Sequence, residues 1–452
     1  MKISPSSIWK RWKNDEILGG VIKNTGYLFS SNTATLGLNT IQTLIATFLL
    51  GPTSYGILGM VTAYASSVNR LLSFRMGEMV IKHAGGQIAL GRNDKAAAIV
   101  KAAGITEAGT SVVAFLILAL TAGWAATNII KVPAAAPWII IFGTSLLADI
   151  VYETSTAVLQ LGNHFKYQAV LNLVQSILVT VLLAVAIIFH GGIYFVLLAY
   201  LLGKVVLGLG STFLAIRWIG PLLGDGWWKT PLSLIDNRKE LSHFAFSTNL
   251  SGSINMIIRD SEVLWVGFFL SPTAAGYYKL ALALMNLTAL PISQIINTTF
   301  PQISKSAARH EWEVLKSLLR RTSAIAAGWI AFCTVGMLLF GPLFFWFYKG
   351  GAFLPTLPGM FILLPGFAIQ GIFFWNRPLL LSLGKPNFPL MVNASLGAVK
   401  IGLMFLLVPQ NGYLVQAALL SGYFFFAVLI IIWRGLKEIR LQQAQFPLPV
   451  EA

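Results

Sequence analysis

About twelve windows of roughly twenty apolar residues follow one another along this chain, each the length an α-helix needs to cross the hydrocarbon core of a bilayer. They fall at about 24–50, 53–82, 95–124, 134–161, 164–189, 192–216, 242–269, 272–304, 316–347, 355–382, 386–408 and 411–434. With no water at that depth to satisfy N–H and C=O groups, each window must close its own hydrogen bonds as a helix. The reading is an all-α polytopic membrane protein. Hydrophobic residues make up 56% of the chain and charged residues 11%, against about 25% charged in a soluble domain.

The windows repeat. Leu50-Gly51-Pro52-Thr53-Ser54-Tyr55-Gly56 and Leu270-Ser271-Pro272-Thr273-Ala274-Ala275-Gly276 each punctuate two long apolar runs, 220 residues apart. Leu161-Gly162-Asn163 and Leu383-Gly384-Lys385 lie 222 residues apart. Both spacings are close to half of the 452 residues, so the chain reads as a duplicated unit, a pattern common among transporters. The expected division is a cytoplasmic N-terminal segment at 1–23, a six-helix bundle at 24–216, a linker at 217–241, a second six-helix bundle at 242–434 and a cytoplasmic tail at 435–452. The N-terminal segment has no cleavable signal pattern, and Ile8, Trp9 and Trp12 suggest an interfacial helix there.

A formal charge of +16 would suggest nucleic acid in a soluble protein, but the positions of the cations explain it otherwise. Lys10, Arg11 and Lys13, then Arg217, Lys229, Arg238 and Lys239, then Lys305, Arg309 and Lys316 fall on one side, while the opposite connections hold only Lys131 and Lys349. This is the positive-inside distribution of a protein with both termini in the cytoplasm. No nucleic-acid partner is needed. Cys333, the single cysteine, forms no intramolecular disulfide.

The segments Leu50–Gly56, Ser67-Val68-Asn69-Arg70-Leu71-Leu72-Ser73-Phe74-Arg75, Ser271–Tyr278 and Phe300-Pro301-Gln302-Ile303-Ser304-Lys305, with the two Leu-Gly turns, resemble the polysaccharide exporters and oligosaccharide-lipid flippases of the multidrug, oligosaccharidyl-lipid and polysaccharide transporter superfamily. The resemblance covers most of the chain. It implies two homologous bundles in a V around a central cavity, working by alternating access. About twelve spans, rather than the fourteen of the lipid II flippase branch, point to the O-antigen, capsule or exopolysaccharide repeat-unit branch in the bacterial inner membrane.

Polar residues inside the spans mark candidate sites. A cation at a helix centre costs roughly 2.5–3.5 kcal/mol on insertion scales, so Arg70, Lys204, Arg259, Lys279 and Lys400 are expected to face a cavity, where they would hold the diphosphate of a lipid-linked sugar. Arg75 and Arg377 lie towards the cytoplasmic ends, where reaching the headgroups competes with that role. Asn32, Asn39, Asn249 and Asn255 on the first and seventh spans are read as cavity-lining groups. Acids temper this. Glu78 and Glu262 stand three residues after Arg75 and Arg259, a spacing that pairs charges on one helix face.

Asp149 and Glu153, four residues apart, put two carboxylates on one helix face as a site for proton or sodium coupling. Pairing of each with a cation on another helix, Lys204 or Arg70, is the competing reading. No P-loop and no His/Cys cluster occurs, so no nucleotide, metal or other cofactor is expected.

The function expected is a flippase, not an enzyme, that carries polyprenyl-diphosphate-linked oligosaccharide repeat units across the cytoplasmic membrane. It would act as a monomer among membrane lipids, alongside a polysaccharide polymerase and export machinery. The alternative is a cation-coupled multidrug antiporter of the same superfamily. A membrane glycosyltransferase or polymerase is disfavoured because every outer connection is short.

Overall fold

The computed structural model describes residues 16–72, 76–236 and 238–445. The N-terminal aromatic segment and Arg75 lie outside these residues. Every regular element described is helical. Numbering those of seven residues or more gives α1 Glu16–Leu72, α2 Asn93–Asn128, α3 Ala136–Gly143, α4 Tyr152–Leu161, α5 Phe165–Ile188, α6 Ile193–Leu223, α7 Arg238–Asn255 and α8 Glu262–Phe269. There follow α9 Pro272–Thr288, α10 Leu290–Ala308, α11 Trp312–Phe347, α12 Thr356–Ile372, α13 Asn376–Ser382, α14 Asn387–Asn411 and α15 Tyr413–Gln445.

Among the described residues nine helical segments are long and apolar enough to cross a membrane. One of them, Ser30–Ala89, takes in the second expected span and most of the first, because α1 runs through a kink at Gly51 (φ 70°). Only a residue without a Cβ takes that conformation at no cost. The seventh and eighth expected spans are each broken. The seventh becomes α7, a π-helical turn at Met256–Asp260, and α8. The eighth divides into α9 and α10 at Ala289, just before Pro291, whose ring removes an N–H from the ladder.

The duplicated punctuation has a physical basis. Ser271 caps α9, its hydroxyl accepting from Ala274 N at 3.2 Å, with Pro272 in the first turn, a strong helix start. The two Leu-Gly turns end helices in the same way. His164 N donates to Leu159 O (2.7 Å) and Lys385 N to Leu380 O (2.9 Å), each around a left-handed residue, Asn163 (φ 58°) and Gly384 (φ 74°). This is the Schellman stop.

Contacts divide the chain into two compact units. The first holds α1 as far as Leu49, then Tyr64–Ala126 and Pro133–Ser253. Its interior includes Met79, Val80, Val100, Val158 and Ile219, and the connection after α6 packs on it through Trp227 and Ile235, followed by Leu241 in the first turn of α7. Lys101 Nζ donates to Thr230 O (3.1 Å), and Lys95 pairs with Asp236. The expected linker at 217–241 is thus helical as far as Leu223 and is held against this unit beyond it. The second unit holds Leu50–Ala63, Thr127–Val132 and the chain from Ile254 onwards. Its interior is built on Trp312, Leu315, Leu319, Trp375, Leu379 and Ile432.

Within the first unit the fourth expected span is interrupted at Asp149–Val151, where the chain leaves helical geometry before α4 begins. The N–H groups freed there are bound by a buried carboxylate. Glu107 accepts from Glu153 N (2.7 Å) and Thr154 N (2.9 Å) and is 5% exposed. Removing it strands two enclosed donors, at about 1–3 kcal/mol each. Glu107→Ala is therefore expected to lower the thermal unfolding midpoint of the detergent-solubilised protein by several degrees, with Glu107→Gln recovering part of the loss; unchanged midpoints would show that water reaches the break.

Candidate functional site

The π turn at Met256–Asp260 widens the helix, a feature that recurs at functional sites, and its carbonyls are met by side chains. Ile257 O accepts from Ser261 Oγ at 3.0 Å, and Ile258 O accepts from Lys400 Nζ. Gly397 makes room for the Ile258 side chain, since an added Cβ there would stand 2.8 Å from Ile258 Cγ1. The next residue in the turn, Arg259, is exposed, with its guanidinium carbon 5.1 Å from the centre of the Phe424 ring.

Arg259 faces a cavity of about 610 Å³ that lies wholly in the second unit, within the size range of small-molecule sites. Asn255 and Arg259 line it from the end of α7 and the π turn, Asn286 and Thr288 from α9, Gln370 from α12, Asn376 and Arg377 from α13, and Asn393 from α14. Phe367, Phe374, Tyr423 and Phe424 supply aromatic walls. Arg377 is presented by a second helix break, where Asn376 Nδ2 donates to Phe373 O at 2.7 Å. Among the described residues, two guanidiniums, five carboxamides and no carboxylate line this cavity. Such a lining offers hydrogen bonds to hydroxyls and a net positive field to anions.

Three sequence-derived candidates, Asn255, Arg259 and Arg377, meet here. Asn286, Gln370, Asn376 and Asn393 were not anticipated. Their signal is present as carboxamides within apolar spans, but uncharged polar residues stand out in the sequence only where they cluster, on the first and seventh spans.

Lys400 departs from its expected role. It is 4% exposed and paired with Glu262, itself 1% exposed. Tyr278 Oη (2.6 Å) and Gln416 Nε2 (2.7 Å) also donate to Glu262. Glu262 therefore pairs with Lys400 across helices rather than with Arg259 on its own helix, because Ser261 interrupts the helix between them. Lys279 lies outside the cavity, with its Nζ 4.3 Å from the centre of the Tyr55 ring.

The remaining candidates belong to the first unit. Arg70 and Lys204 are exposed, as are Asn32 and Asn39. Asn249 Nδ2 lies 3.5 Å from Arg70 O and 3.4 Å from Leu71 O. The helical spacing assumed for Asp149 and Glu153 does not hold, since the break separates them. Glu153 accepts from Gly77 N at 3.4 Å, whereas Asp149 Oδ1 is enclosed with no hydrogen-bond partner among the described residues.

The Lys400–Glu262 pair sets up a double-mutant test. Lys400→Met or Glu262→Gln alone leaves the partner buried without its counterion and is expected to cost about 3–5 kcal/mol, whereas the double replacement should cost much less than the sum. Thermal unfolding of the four proteins measures the coupling, and strictly additive losses would remove the pair as a structural tie.

Comparison with known proteins agrees with this architecture. The chain is 22% identical over 310 residues, 66% of its length and 83% of the relative's, to inner membrane protein YghQ of Escherichia coli K12. Among solved structures it resembles an inward-facing multidrug resistance MATE family transporter of the MOP superfamily (TM-score 0.73, 14% identity, 91% of this chain and 96% of that one). It also resembles the lipid II flippase MurJ in an inward closed conformation (TM-score 0.66, 15% identity, 92% and 89%). It is thus an all-α multi-pass membrane protein with the fold of that superfamily. Residues 21–307 match the family model described as polysaccharide biosynthesis protein, and the chain belongs to that family.

Proposed function

We propose that this protein is a flippase of the MOP superfamily that carries a polyprenyl-diphosphate-linked oligosaccharide repeat unit across the cytoplasmic membrane for surface polysaccharide assembly. The observation that carries the reading is the cavity around Arg259 and Arg377, with no acid in its lining among the described residues. A diphosphate drawn from water into a partly dehydrated site needs fixed positive charge, and the planar guanidinium meets phosphate or carboxylate oxygens with two hydrogen bonds. The carboxamides suit sugar hydroxyls, and the aromatic rings provide apolar faces for the pyranose rings. Family membership and likeness to transporters of this fold support the same reading.

In this proposal both termini lie in the cytoplasm, a placement that the basic segments support, and one chain is the working unit. Among the described residues, the enclosed Asp149 Oδ1 with no hydrogen-bond partner supports proton or sodium coupling in the first unit. A drug antiporter would be driven through that carboxylate and would not need Arg259.

The test is translocation of a fluorescent polyprenyl-diphosphate oligosaccharide in proteoliposomes, read with an impermeant quencher. The parent is expected to move the lipid. Arg259→Gln and Arg377→Gln should each slow it about tenfold, the equivalent of about 1.4 kcal/mol, while Arg440→Gln on the cytoplasmic tail should not. Exchange of organic cations abolished by Asp149→Asn but indifferent to Arg259→Gln would replace the flippase reading with the antiporter.

A further inference from the structure

A second cavity, of about 370 Å³, lies wholly in the first unit and has no part in the site described above. Met76 and Met79 form one wall, Leu241 and Ala245 of α7 another, and Leu232 and Ile235 of the connection after α6 close it. The two hydroxyls in its lining spend their protons on their own helices. Thr106 Oγ1 donates to Ala102 O at 2.9 Å, and Ser242 Oγ to Lys239 O at 3.0 Å. What remains is an apolar wall, and its methionines adapt to an irregular hydrocarbon chain.

The rim is basic. Lys101 stands one residue before Ala102, which also lines the cavity, and its Nζ donates to Thr230 O at 3.1 Å, two residues before Leu232. Lys95 is paired with Asp236, and Lys82 lies over the Phe244 ring, 4.4 Å from its centre. Lys101 differs from both. It is half-buried, and among the described residues it has no carboxylate partner. The Thr230 carbonyl takes one of the three N–H groups of its ammonium. The acids of this face, Glu78, Asp236 and Glu240, are exposed.

In the orientation proposed above, this cavity sits at the inner surface of the membrane, closed by the connection that carries the Trp227–Trp228 pair, whose rings suit the headgroup level. The solutes at that depth are lipids, and an apolar pocket with a basic rim on the cytoplasmic side suits a chain with an anionic head group. We infer that the first unit holds an anionic phospholipid of the inner leaflet, with one acyl chain in this cavity and the phosphate on Lys101. One ammonium matches a single phosphodiester charge, whereas the two guanidiniums of the second unit match a diphosphate. The lipid fastens the connection after α6, because its chain lies against Leu232 and Ile235 and its head group on the lysine that holds Thr230. Only the membrane orientation is taken from the transport reading; the transported substrate plays no part.

The test is lipid retention by the detergent-purified full chain, measured by native mass spectrometry with phosphatidylglycerol or phosphatidylcholine of the same acyl chains. The parent is expected to hold one phosphatidylglycerol at least about tenfold more tightly than phosphatidylcholine, the equivalent of about 1.4 kcal/mol. Lys101→Gln should abolish that preference, and Lys101→Arg, which keeps the charge, should restore it, so that a lost fold is told apart from a lost site. Ala102→Leu, which fills the cavity from a half-buried wall, should weaken both lipids, while Lys229→Gln on the same connection should change neither. A phosphatidylglycerol with a photoactivatable acyl chain should label Leu232, Ile235 or Leu241 in the parent and not in Ala102→Leu. Equal retention of the two lipids by the parent, or a preference that survives Lys101→Gln, would make the lipid an annular one and overturn the site. Displacement of phosphatidylglycerol by an equal concentration of polyprenyl phosphate would give the cavity to a carrier-lipid tail and overturn it as well.

Discussion

Everything in this molecule depends on a backbone that must satisfy its own hydrogen bonds where water is absent. A continuous helix does so automatically, so each departure needs a specific replacement, and the departures are where the chemistry lies. At Asp149–Val151 the freed donors go to Glu107. At the π turn the freed carbonyls go to Ser261 and Lys400. The kink at Gly51 needs a residue that accepts a positive φ, and the start of α9 needs the Ser271 cap. Polar side chains that look costly in the sequence are in several cases the replacements for backbone partners.

Charges sort by the same logic. Lys400 and Glu262 are both enclosed and neutralise each other, with Tyr278 and Gln416 filling the remaining acceptor sites of the carboxylate. Such a pair contributes definition to the fold more than net stability. Arg259 sits in the π turn between Ile258, whose carbonyl takes Lys400, and Asp260, and it faces the cavity. Arg259 and Lys400, which sequence alone treated alike, therefore do opposite work, Arg259 presented to the cavity and Lys400 buried and neutralised.

Much of the fold was legible in the residues. Long apolar windows fixed the helical class, and the motif copies marked helix boundaries that the structure places at a kink, a cap and two Schellman stops. The breaks inside spans seven and eight were not legible, because π turns leave no compositional trace and a proline inside an apolar window is as compatible with a kinked helix as with a broken one. The site was legible in part. Arg259 and Arg377 were named for their charge, but nothing in the sequence said that Glu262 would turn to Lys400, since that choice is made by helices 138 residues apart. The coupling of Asp149 to Glu153 was inferred from a helical period that the chain abandons between them.

The duplicated Pro-Thr-x-x-Gly segments pack against each other within the second unit, and the way they meet bears on how such a chain arises. A contact in which Thr53 meets Thr273 and Gly56 meets Gly276 is one that a single half-length chain could make with a second molecule of itself. The covalent duplication then adds nothing to the contact but permanence, and with permanence comes freedom for the copies to differ. Position 59 and its equivalent 279 show that freedom in use: a homodimer would carry two lysines or two glycines there, whereas the fused chain carries one of each, so that the lysine lies in the space the glycine leaves.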